Sequence, residues 1–433
     1  MAILAGVPAA PLGTTFRKLF TASALSNLAD GIFQVSLPLL ALKLTRSPAA
    51  VAGVALAGRL PWLLFALQAG ALADRLDRLR TMVRVDVVRV LLIGTLAAIV
   101  ALGHEHLLIL YVVAFALGVG ETLFDTAAQS IIPMVVHRDE LARANGKLYA
   151  AEMIANEFVG PPLGGILAGV AIALAFTGSA ACYLVAFLAL LTVRGSFKPS
   201  REGEAPTRIR TDIAEGLRYL YRHRLLRTLA LMVGVMNLFN TAAWSVLPVY
   251  AVKPGPMGLS AGGFGLFLTA TAAGALVGSW LTPWLERKLG RSKLLALSVT
   301  ASGVMMAAPL LRQPWIVGAV LFCTGIPFMS WNIVTVSLRQ RIVPDRLLGR
   351  VNASYRLLAW GTMPIGAGLG GLLGELFGLR TVFVVSGIAT LALLACMPIV
   401  SDKAIDAAEA DAEPFAASPD PSDPADEASV STS

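Results

Sequence analysis

The stretch Gly70-Ala-Leu-Ala-Asp-Arg-Leu-Asp-Arg-Leu-Arg80 places five charged side chains between two long apolar runs. Residues 49–72 precede it and residues 87–102 follow it, and both runs are almost wholly apolar. A helix of about 20 apolar residues crosses a bilayer core of about 30 Å. The pattern therefore predicts two membrane-spanning helices joined by a charged hairpin at one face of the bilayer.

The whole chain has the composition of a polytopic membrane protein. Of its 433 residues, 56% are hydrophobic and only 14% are charged, an apolar excess beyond the need of a soluble core. The first apolar segment is too long for a signal-peptide core, so we expect it to be retained. About twelve spans of sufficient length can be marked. They lie near Phe20–Leu42, Val51–Leu72, Val87–Leu102, Leu107–Ala128, Ala144–Val170, Ala173–Val193, Leu226–Val252, Gly263–Leu285, Leu294–Leu311, Trp315–Leu338, Leu357–Phe377 and Val382–Val400.

The distribution of basic residues predicts an orientation. The net charge of +8 comes mainly from alternate loops, such as residues 75–84, 138–147, 194–227 and 339–350. Basic loops stay on the cytoplasmic side. We therefore expect both termini and the long central loop in the cytoplasm, in a bacterial inner membrane, and we do not expect a nucleic-acid partner.

The chain repeats itself at an offset of about 206 to 212 residues. Asn27-Leu-Ala-Asp30 continues to Leu37-Pro38, and Asn237-Leu-Phe-Asn240 continues to Leu247-Pro248 with the same spacing. Gly160-Pro-Pro-Leu-Gly-Gly165 parallels Gly366-Ala-Gly-Leu-Gly-Gly371. A duplicated six-span unit is indicated, and two halves related in this way commonly enclose a central site.

The repeat and the composition predict four segments. Residues 1–194 form an N-terminal six-helix bundle, and residues 226–400 form a C-terminal one. Residues 195–225 form a cytoplasmic linker that contains an amphipathic helix from Asp212 to Arg224. Residues 401–433 are rich in Ala, Asp, Glu, Pro and Ser, and we expect them to be a disordered acidic cytoplasmic tail.

Asp30 is the main candidate for chemistry inside the membrane. It lies about midway along the first span, with Asn27 and Gln34 one turn to either side, so the three share a polar face. An intramembrane charge costs about 2.5–3.5 kcal/mol, so it requires an explanation. One explanation is a proton carrier that faces a central cavity. The other is a permanent ion pair with Arg59 of the second span.

Further acids lie in the fourth and fifth spans. Glu121 and Asp125 are one helical turn apart. We predict that Asp125 pairs with Arg75 or Arg78, which gives a latch at the charged hairpin together with Gly70 and Asp74. Glu121 either joins Asp30 in the cavity or has a structural role. The fifth-span members of this polar set are Glu152, Asn156 and Glu157.

The second half supplies candidate residues for a substrate cavity. Aromatic and amide side chains away from the span ends would line a roomy amphipathic pocket; they are Asn237, Asn240, Trp244, Trp331 and Asn332. No Gly-x-x-x-x-Gly-Lys-Ser/Thr loop is present, so we expect no direct use of ATP. We expect no cofactor and no metal site.

The Gly70–Arg80 loop resembles the signature loop of the major facilitator superfamily of secondary transporters. With the duplicated halves and the Gly160–Gly165 segment, the chain resembles the drug:proton antiporter branch, nearest to twelve-span macrolide, tetracycline and siderophore exporters. This resemblance covers Phe16 to about Val400 and implies an all-α membrane protein with a major facilitator fold, about 12 transmembrane helices in two pseudo-symmetric six-helix bundles. A second signature loop, Leu285–Arg291, departs from the pattern because Glu286 replaces the usual Asp.

The resemblance also implies a function. Gly160, Pro161, Pro162, Gly164 and Gly165 are similar to the G-P-x-x-G-G signature of antiporters that work in the export direction. We therefore expect a transporter rather than an enzyme: a monomer that exchanges protons for a small drug-like molecule by alternating access. The alternatives are an exporter of an endogenous siderophore or lipid, an uncoupled facilitator or importer with a fixed Asp30–Arg59 pair, and a non-transporting receptor or scaffold.

Overall fold

Helices account for nearly all of the chain in the computed structural model, which describes residues 12–73, 76–195, 197–198 and 209–411. In this part of the chain, the bridge between Val252 and Leu259 is the one strand-like pairing. The helices of the first half are α1 (Gly13–Leu44), α2 (Pro48–Ala73), α3 (Arg78–Ala101), α4 (Leu107–Val135), α5 (Leu141–Met153), α6 (Gly160–Val170) and α7 (Ile172–Leu191). The linker helix is α8 (Ile209–Arg222), and the second half contains α9 (Arg224–Ala251), α10 (Ala261–Leu289), α11 (Arg291–Ala307), α12 (Pro314–Ile342), α13 (Asp345–Phe377), α14 (Leu379–Ala392) and the terminal helix α15 (Asp402–Ala410).

Ten helices of the described residues are long and apolar enough to cross a membrane. Two predicted spans differ from these ten. Helix α3 carries Arg84, Asp86 and Arg89, and the fifth predicted span is divided into α5, a π-helical segment (Ile154–Val159) and α6. The all-helical membrane fold is confirmed, whereas the number twelve remains a prediction.

Equivalent glycine contacts relate the two halves. A β-carbon at Gly164 would lie 2.7 Å from the carbonyl oxygen of Ile32, and one at Gly370 would lie 2.2 Å from that of Ala242. These two contacts occupy matching positions of the sequence repeat. Small residues let helix backbones approach closely in membranes, so the repeat specifies how α6 packs on α1 and how α13 packs on α9.

The halves meet at one end of the helices. We call this the far end; it carries the turns at residues 45–47, 102–106, 252–260 and 378, and the opposite, linker end carries residues 192–195, the start of α8 at residue 209 and residues 342–345. A β-carbon at Gly165 would lie 2.6 Å from the carbonyl oxygen of Ala261, and one at Gly371 would lie 3.1 Å from the Cα of Ala49. Helix α6 therefore packs on α10 through Gly165, and α13 packs on α2 through Gly371.

The space between the halves opens toward the linker end. Helices α2 and α13 run antiparallel and stay in contact from the far end to Leu63, which lies 3.2 Å from a β-carbon built at Gly361. Farther toward the linker end, Leu64 and Leu357 are 47% and 36% exposed. The molecule is thus closed at its far end.

Helix α8 lies where the sequence predicts the linker helix, but it begins three residues earlier and ends two residues earlier than predicted. Its buried face packs on α13, where a β-carbon at Gly216 would lie 2.3 Å from the carbonyl oxygen of Arg350. The Tyr219 hydroxyl donates to the carbonyl oxygen of Ile342 at 3.3 Å, and Leu220 is buried. Helix α8 therefore belongs structurally to the second half. The domain boundaries themselves remain predictions.

The prediction of disorder after residue 401 is wrong for helix α15. Ser401 caps this helix by accepting from the amide of Ala404, and Asp402 Oδ1 accepts from the amide of Ser292 at 2.9 Å. Glu409 forms an ion pair of 2.6 Å with Arg291 of the second signature loop. Ile405 is fully buried. Partners distant in sequence thus order a segment whose composition alone predicts disorder; residues 412–433 lie outside the described residues.

We expect Ile405→Asp to release α15 from the second half, because an unpaired carboxylate in an apolar site costs more than about 2 kcal/mol. Hydrogen exchange of the amides of residues 402–410 should accelerate to the rate of an open helix. The exposed Lys403→Ala is the matched control and should leave exchange unchanged. Equal protection in both variants would contradict the docking of α15.

The far end is closed by a carboxylate that bridges the halves. Glu375 of α13 accepts from the Ser47 hydroxyl at 2.7 Å and from the Ala49 amide at 3.3 Å, at the start of α2. Arg46 donates to the carbonyl oxygen of Lys253 at 3.0 Å, which adds a second bridge. A carboxylate at a helix N-terminus is stabilised by the unpaired amides there.

We expect Glu375→Ala to favour opening of the far end, because it removes both hydrogen bonds that join α13 to α2. In a variant without its native cysteines, a cysteine at position 52 should react several times faster with a membrane-impermeant maleimide. Position 52 is buried against α13 when the far end is closed.

Glu105→Gln is the control for this experiment, since Glu105 pairs with Lys43 within the first half at 2.5 Å. The hydrogen bond from Lys43 lowers the pKa of the Glu105 carboxyl below its usual value of 4.5. The stabilisation of the fold by this pair is therefore complete above pH 4.5 and is lost as the pH falls through the lowered pKa of Glu105. An unchanged rate at position 52 in Glu375→Ala would contradict the bridge.

Candidate functional site

Asp30 lies in a buried polar cluster of the first half. The Tyr183 hydroxyl of α7 donates to Asp30 Oδ1 at 2.5 Å, and Tyr183 is fully buried. The Ser179 hydroxyl, one turn earlier on α7, donates to the carbonyl oxygen of Ala29 at 2.9 Å. These two contacts fix the rotation of α7 against α1, so the carboxylate is held by a rigid donor.

Arg89 of α3 supplies the positive charge of the cluster. Only 1% of its surface is exposed. Its Nη1 donates to the Ser26 hydroxyl at 2.8 Å, and its Cζ lies 5.0 Å and 5.2 Å from the ring centroids of Phe124 and Tyr183. Arg89 also interacts electrostatically with Asp30. Helices α1, α3, α4 and α7 therefore converge on one guanidinium.

Asp86 is the second acid beside this guanidinium. It is 0% exposed, and its Oδ1 lies 3.7 Å from Arg89 Nη1. Neither carboxylate oxygen of Asp86 has a hydrogen-bond partner among the residues that the structure describes. A buried carboxylate without hydrogen bonds depends on the nearby charge. Arg89 interacts with both Asp30 and Asp86, and of these two acids Asp30 also has a hydrogen-bond donor, Tyr183.

The alternative of a fixed Asp30–Arg59 pair is not formed. No ion pair joins these two residues, both of which the structure describes; Arg59 Nη1 instead contacts Met363 Sδ of α13 at 3.6 Å. The exposed Arg59 side chain points from α2 toward the other half. Its electrostatic interactions are with Glu121 and Glu157.

Helix α4 presents its two acids near this cluster. Glu121 interacts electrostatically with Asp30, Arg89 and Glu152. Asp125 interacts with Arg89 and also with Arg356 of α13, across the space between the halves. The acids predicted for the cavity are thus neighbours in space, although they come from α1, α4 and α5.

The predicted latch at the charged hairpin is only partly within the described residues. Gly70 lies near the end of α2, but Asp74 and Arg75 fall outside the described residues. Arg78 Nη1 contacts Met134 Sδ at 2.8 Å, and no ion pair joins it to Asp125, a pair for which both members are described. A partnership of Arg75 with Asp125 remains a prediction.

Residues 154–159 form a π-helical segment immediately before the Gly160–Gly165 motif. Pro161 and Pro162 lack amide hydrogens and cannot continue the hydrogen-bond ladder of the preceding turn. The Gly160 amide accordingly donates to the carbonyl oxygen of Ala155, five residues back. Such wide turns are common at functional sites. Here Asn156 accepts a hydrogen bond of 3.4 Å from Gln34 of α1, and Glu157 lies on the same wide turn.

The other polar residues of the first half lie on α1, on α5 and on the π-helical segment. Asn27 is half-buried and donates to the carbonyl oxygen of Ser23 at 2.9 Å. Gln34, Glu152 and Glu157 are exposed. Two exposed acids, on α5 and on the π-helical segment, therefore accompany the half-buried acid on α1.

The second-half candidates do not form one cavity. Asn237 donates to the carbonyl oxygen of Ala359 at 2.8 Å and joins α9 to α13. Trp244 lines a small apolar cavity between α9, α10, α11 and α12. The prediction that Trp331 lines an open pocket is wrong: it is 2% exposed and packs in the apolar core of the second half. Asn240 is half-buried and Asn332 is exposed.

Sequence reasoning missed three members of the charged cluster: Asp86, Arg89 and Tyr183. Asp86 and Arg89 are three residues apart at the start of an apolar run, the spacing of a helical ion pair. That spacing was a usable signal for both residues. Tyr183 is an uncharged residue within an apolar segment, so the sequence gives no signal for it. Its role is visible only from the packing of α7 on α1.

These features define a class of protein. An all-helical membrane chain with two repeat-related halves, closed at one end around buried charges, has the architecture of the major facilitator superfamily of secondary transporters. The sequence model of the transmembrane secretion effector family matches residues 7–427, and the chain belongs to this family of efflux transporters. It is a multi-pass membrane transporter and not an enzyme.

Curated relatives extend over most of the chain. The multidrug efflux pump Tap of Mycolicibacterium fortuitum is 28% identical over 386 residues, which cover 86% of this chain and 92% of that protein. The macrolide efflux protein A of Streptococcus pyogenes is 24% identical, with 89% and 96% covered. The enterobactin exporter EntS of Citrobacter koseri is 25% identical, with 83% and 85% covered.

Solved structures show the same fold at low identity. The inward-facing structure of a bacterial homologue of the iron transporter ferroportin matches with a TM-score of 0.70 and 17% identity, and 89% of this chain and 98% of that chain are covered. The major facilitator fold predicted from the sequence is therefore confirmed.

We expect Arg89→Met to destabilise the first half strongly, because it leaves two buried acids without their cation, a loss of about 3–5 kcal/mol. Adding Asp86→Asn should recover part of this loss, since the second acid no longer requires compensation. Thermal unfolding of the purified protein in detergent measures both effects. A double variant as unstable as Arg89→Met alone would show that Asp86 does not depend on Arg89.

Proposed function

We propose that this protein is a proton-coupled exporter that moves a small amphipathic organic compound across the bacterial inner membrane by alternating access. The observation that supports this most strongly is the position of Asp30. Its carboxylate is half-buried, accepts a hydrogen bond from Tyr183 and lies near the acids that border the space between the halves. An ionisable group placed this way inside a membrane protein is a candidate proton carrier.

The cluster provides a way to couple the charge of Asp30 to packing. When Asp30 is ionised, it accepts the hydrogen bond from Tyr183 and compensates Arg89. When Asp30 takes up a proton, Asp86 remains as the compensating acid beside Arg89, and the guanidinium is drawn toward α3. Since Arg89 contacts residues of α1, α4 and α7, protonation of Asp30 changes the forces between these helices.

The basic loops and the open space between the halves support a membrane orientation and a direction of transport. We propose that the linker end is cytoplasmic, as the basic loops indicate. The space between the halves then opens to the cytoplasm, where a substrate for export is loaded. No ATP is required, because the proton gradient supplies the free energy, and the protein acts as a monomer.

The relatives narrow the substrate class. Two of them are named for drug export, one multidrug and one macrolide, so we propose a drug-like substrate for this chain. A second candidate is a siderophore-type product, which the relative named an enterobactin exporter favours. An uncoupled facilitator is the third possibility, and it differs from the first two in its response to a pH gradient.

Transport in proteoliposomes with an imposed pH gradient tests the proposal. A panel of organic cations, macrolides and siderophores should include at least one compound whose accumulation follows the gradient. We expect Asp30→Asn to abolish gradient-driven accumulation and to leave counterflow exchange of the same compound, because substrate binding and the conformational change remain.

Asp139→Asn is the matched control, since the side chain of Asp139 is 87% exposed in the loop after α4. It should transport as the unaltered protein does. Gradient-driven accumulation that persists in Asp30→Asn would exclude this carboxylate as the proton carrier, and equal transport with and without a gradient would favour the facilitator.

A further inference from the structure

A pair of tryptophans lies where the two halves separate. Trp62 of α2 and Trp360 of α13 form an edge-to-face contact with a centroid distance of 5.4 Å and an interplanar angle of 83°. The neighbouring residues Leu63 and Gly361 are also in contact, and Leu64 and Leu357, farther toward the linker end, are exposed. Trp360 remains 41% exposed. The pair therefore forms the floor of this space.

Trp360 already holds a cation from its own chain. The Cζ of Arg356, one turn earlier on α13, lies 4.4 Å from the Trp360 ring centroid. Arg356 is exposed and has no salt bridge with any residue that the structure describes. A guanidinium over an indole face is an attractive cation–π contact, so the floor is built to bind a positive charge next to an aromatic ring.

An acid of the other half interacts with Arg356. Asp125 of α4 interacts electrostatically with Arg356 across the space between the halves. Both residues lie on the linker-end side of Trp360. A direct Arg356–Asp125 ion pair would join the halves at the linker end, where the present conformation is open.

We propose that Arg356 occupies the position of a substrate cation on Trp360, and that an organic cation with a flat aromatic ring displaces it and so frees it to pair with Asp125. The ring of the substrate stacks at the Trp62–Trp360 floor. The released Arg356 then closes the linker end, which couples occupation of the site to the conformational change. This inference rests on the proposed export function and adds its substrate class and its gating contact.

The charge of the surroundings favours a cation. The acids of this region are Asp30, Asp86, Glu121, Asp125, Glu152 and Glu157, and its basic side chains are Arg59, Arg89 and Arg356, so the acids outnumber the bases six to three. A site with an excess of acids attracts cations and repels anions. Flat aromatic cations therefore fit this floor better than anionic compounds of the same size.

Equilibrium binding of ethidium to the purified full-length protein in nanodiscs tests the site without any proton gradient. We expect Trp360→Ala to weaken binding about tenfold, because it removes both the stacking surface and the cation–π contact, and Trp360→Phe to weaken it only about threefold. Arg356→Gln should tighten binding about threefold, since it removes the competing cation. A merely structural role of Arg356 would give no gain in affinity.

Controls come from the same chain. Trp280→Ala and Arg312→Gln remove a tryptophan and an arginine that are exposed and far from the floor, and both should leave ethidium binding unchanged. The anionic dye anilinonaphthalene sulfonate should bind at least about tenfold more weakly than ethidium. Unchanged affinity in Trp360→Ala, weaker binding in Arg356→Gln or equal binding of the anion would each overturn the proposal.

The gating step has a separate readout. Spin labels at positions 139 and 340, which are exposed at the linker end of the first and second halves, should move closer when ethidium binds. Asp125→Asn should still bind ethidium, with one acid fewer near the floor, but should lose this approach. If ethidium binding and closure occur as described but transport does not depend on a pH gradient, the proposed binding site is supported and proton coupling is contradicted. If ethidium binds elsewhere while gradient-driven export persists, the proposed function is supported and only this binding site is contradicted.

Discussion

The burial of one guanidinium organises the first half of the molecule. A cation moved from water into a low-dielectric interior is unfavourable by several kcal/mol even after relaxation, unless neighbours compensate it. Arg89 obtains this compensation from the hydroxyl of Ser26, the faces of Phe124 and Tyr183 and the charges of three acids. These partners come from four helices, so their mutual rotation is fixed. The interactions that stabilise this bundle are therefore the same ones that hold Asp30 in place.

The close approach of helix backbones is the second constraint on the architecture. At Gly164 and Gly370 a neighbouring backbone lies where a side chain would be, and the same is true between the halves at Gly165, whereas Gly371 accommodates the Ala52 methyl and the Ala49 backbone. In hydrocarbon there is no hydrophobic driving force between helices, and packing of small residues becomes the main source of association. A pair of contacts that recurs at matching positions of an internal repeat gives the halves a common way to meet at the far end.

Much of the fold could be predicted from the sequence because membrane spans, basic loops and repeats leave strong patterns. Asp30 was found because a carboxylate inside an apolar run is rare. Trp62 and Trp360 were overlooked, since a span has apolar residues on all faces and periodicity does not reveal which face meets the other half. Helix α15 was overlooked for a different reason: its partner Arg291 is more than a hundred residues away in the sequence.

The wide turn before Gly160 has a consequence for how α5 is oriented. A π-helical turn contains one residue more than an α-helical turn, so residues 154–159 act as a single-residue insertion in an otherwise continuous helix. Shortening this segment by one residue would remove the extra residue of the wide turn and rotate α5 by about 100° relative to α6. Glu152 would then turn away from α1. The extra residue in this turn thus determines which side of α5 faces the central space.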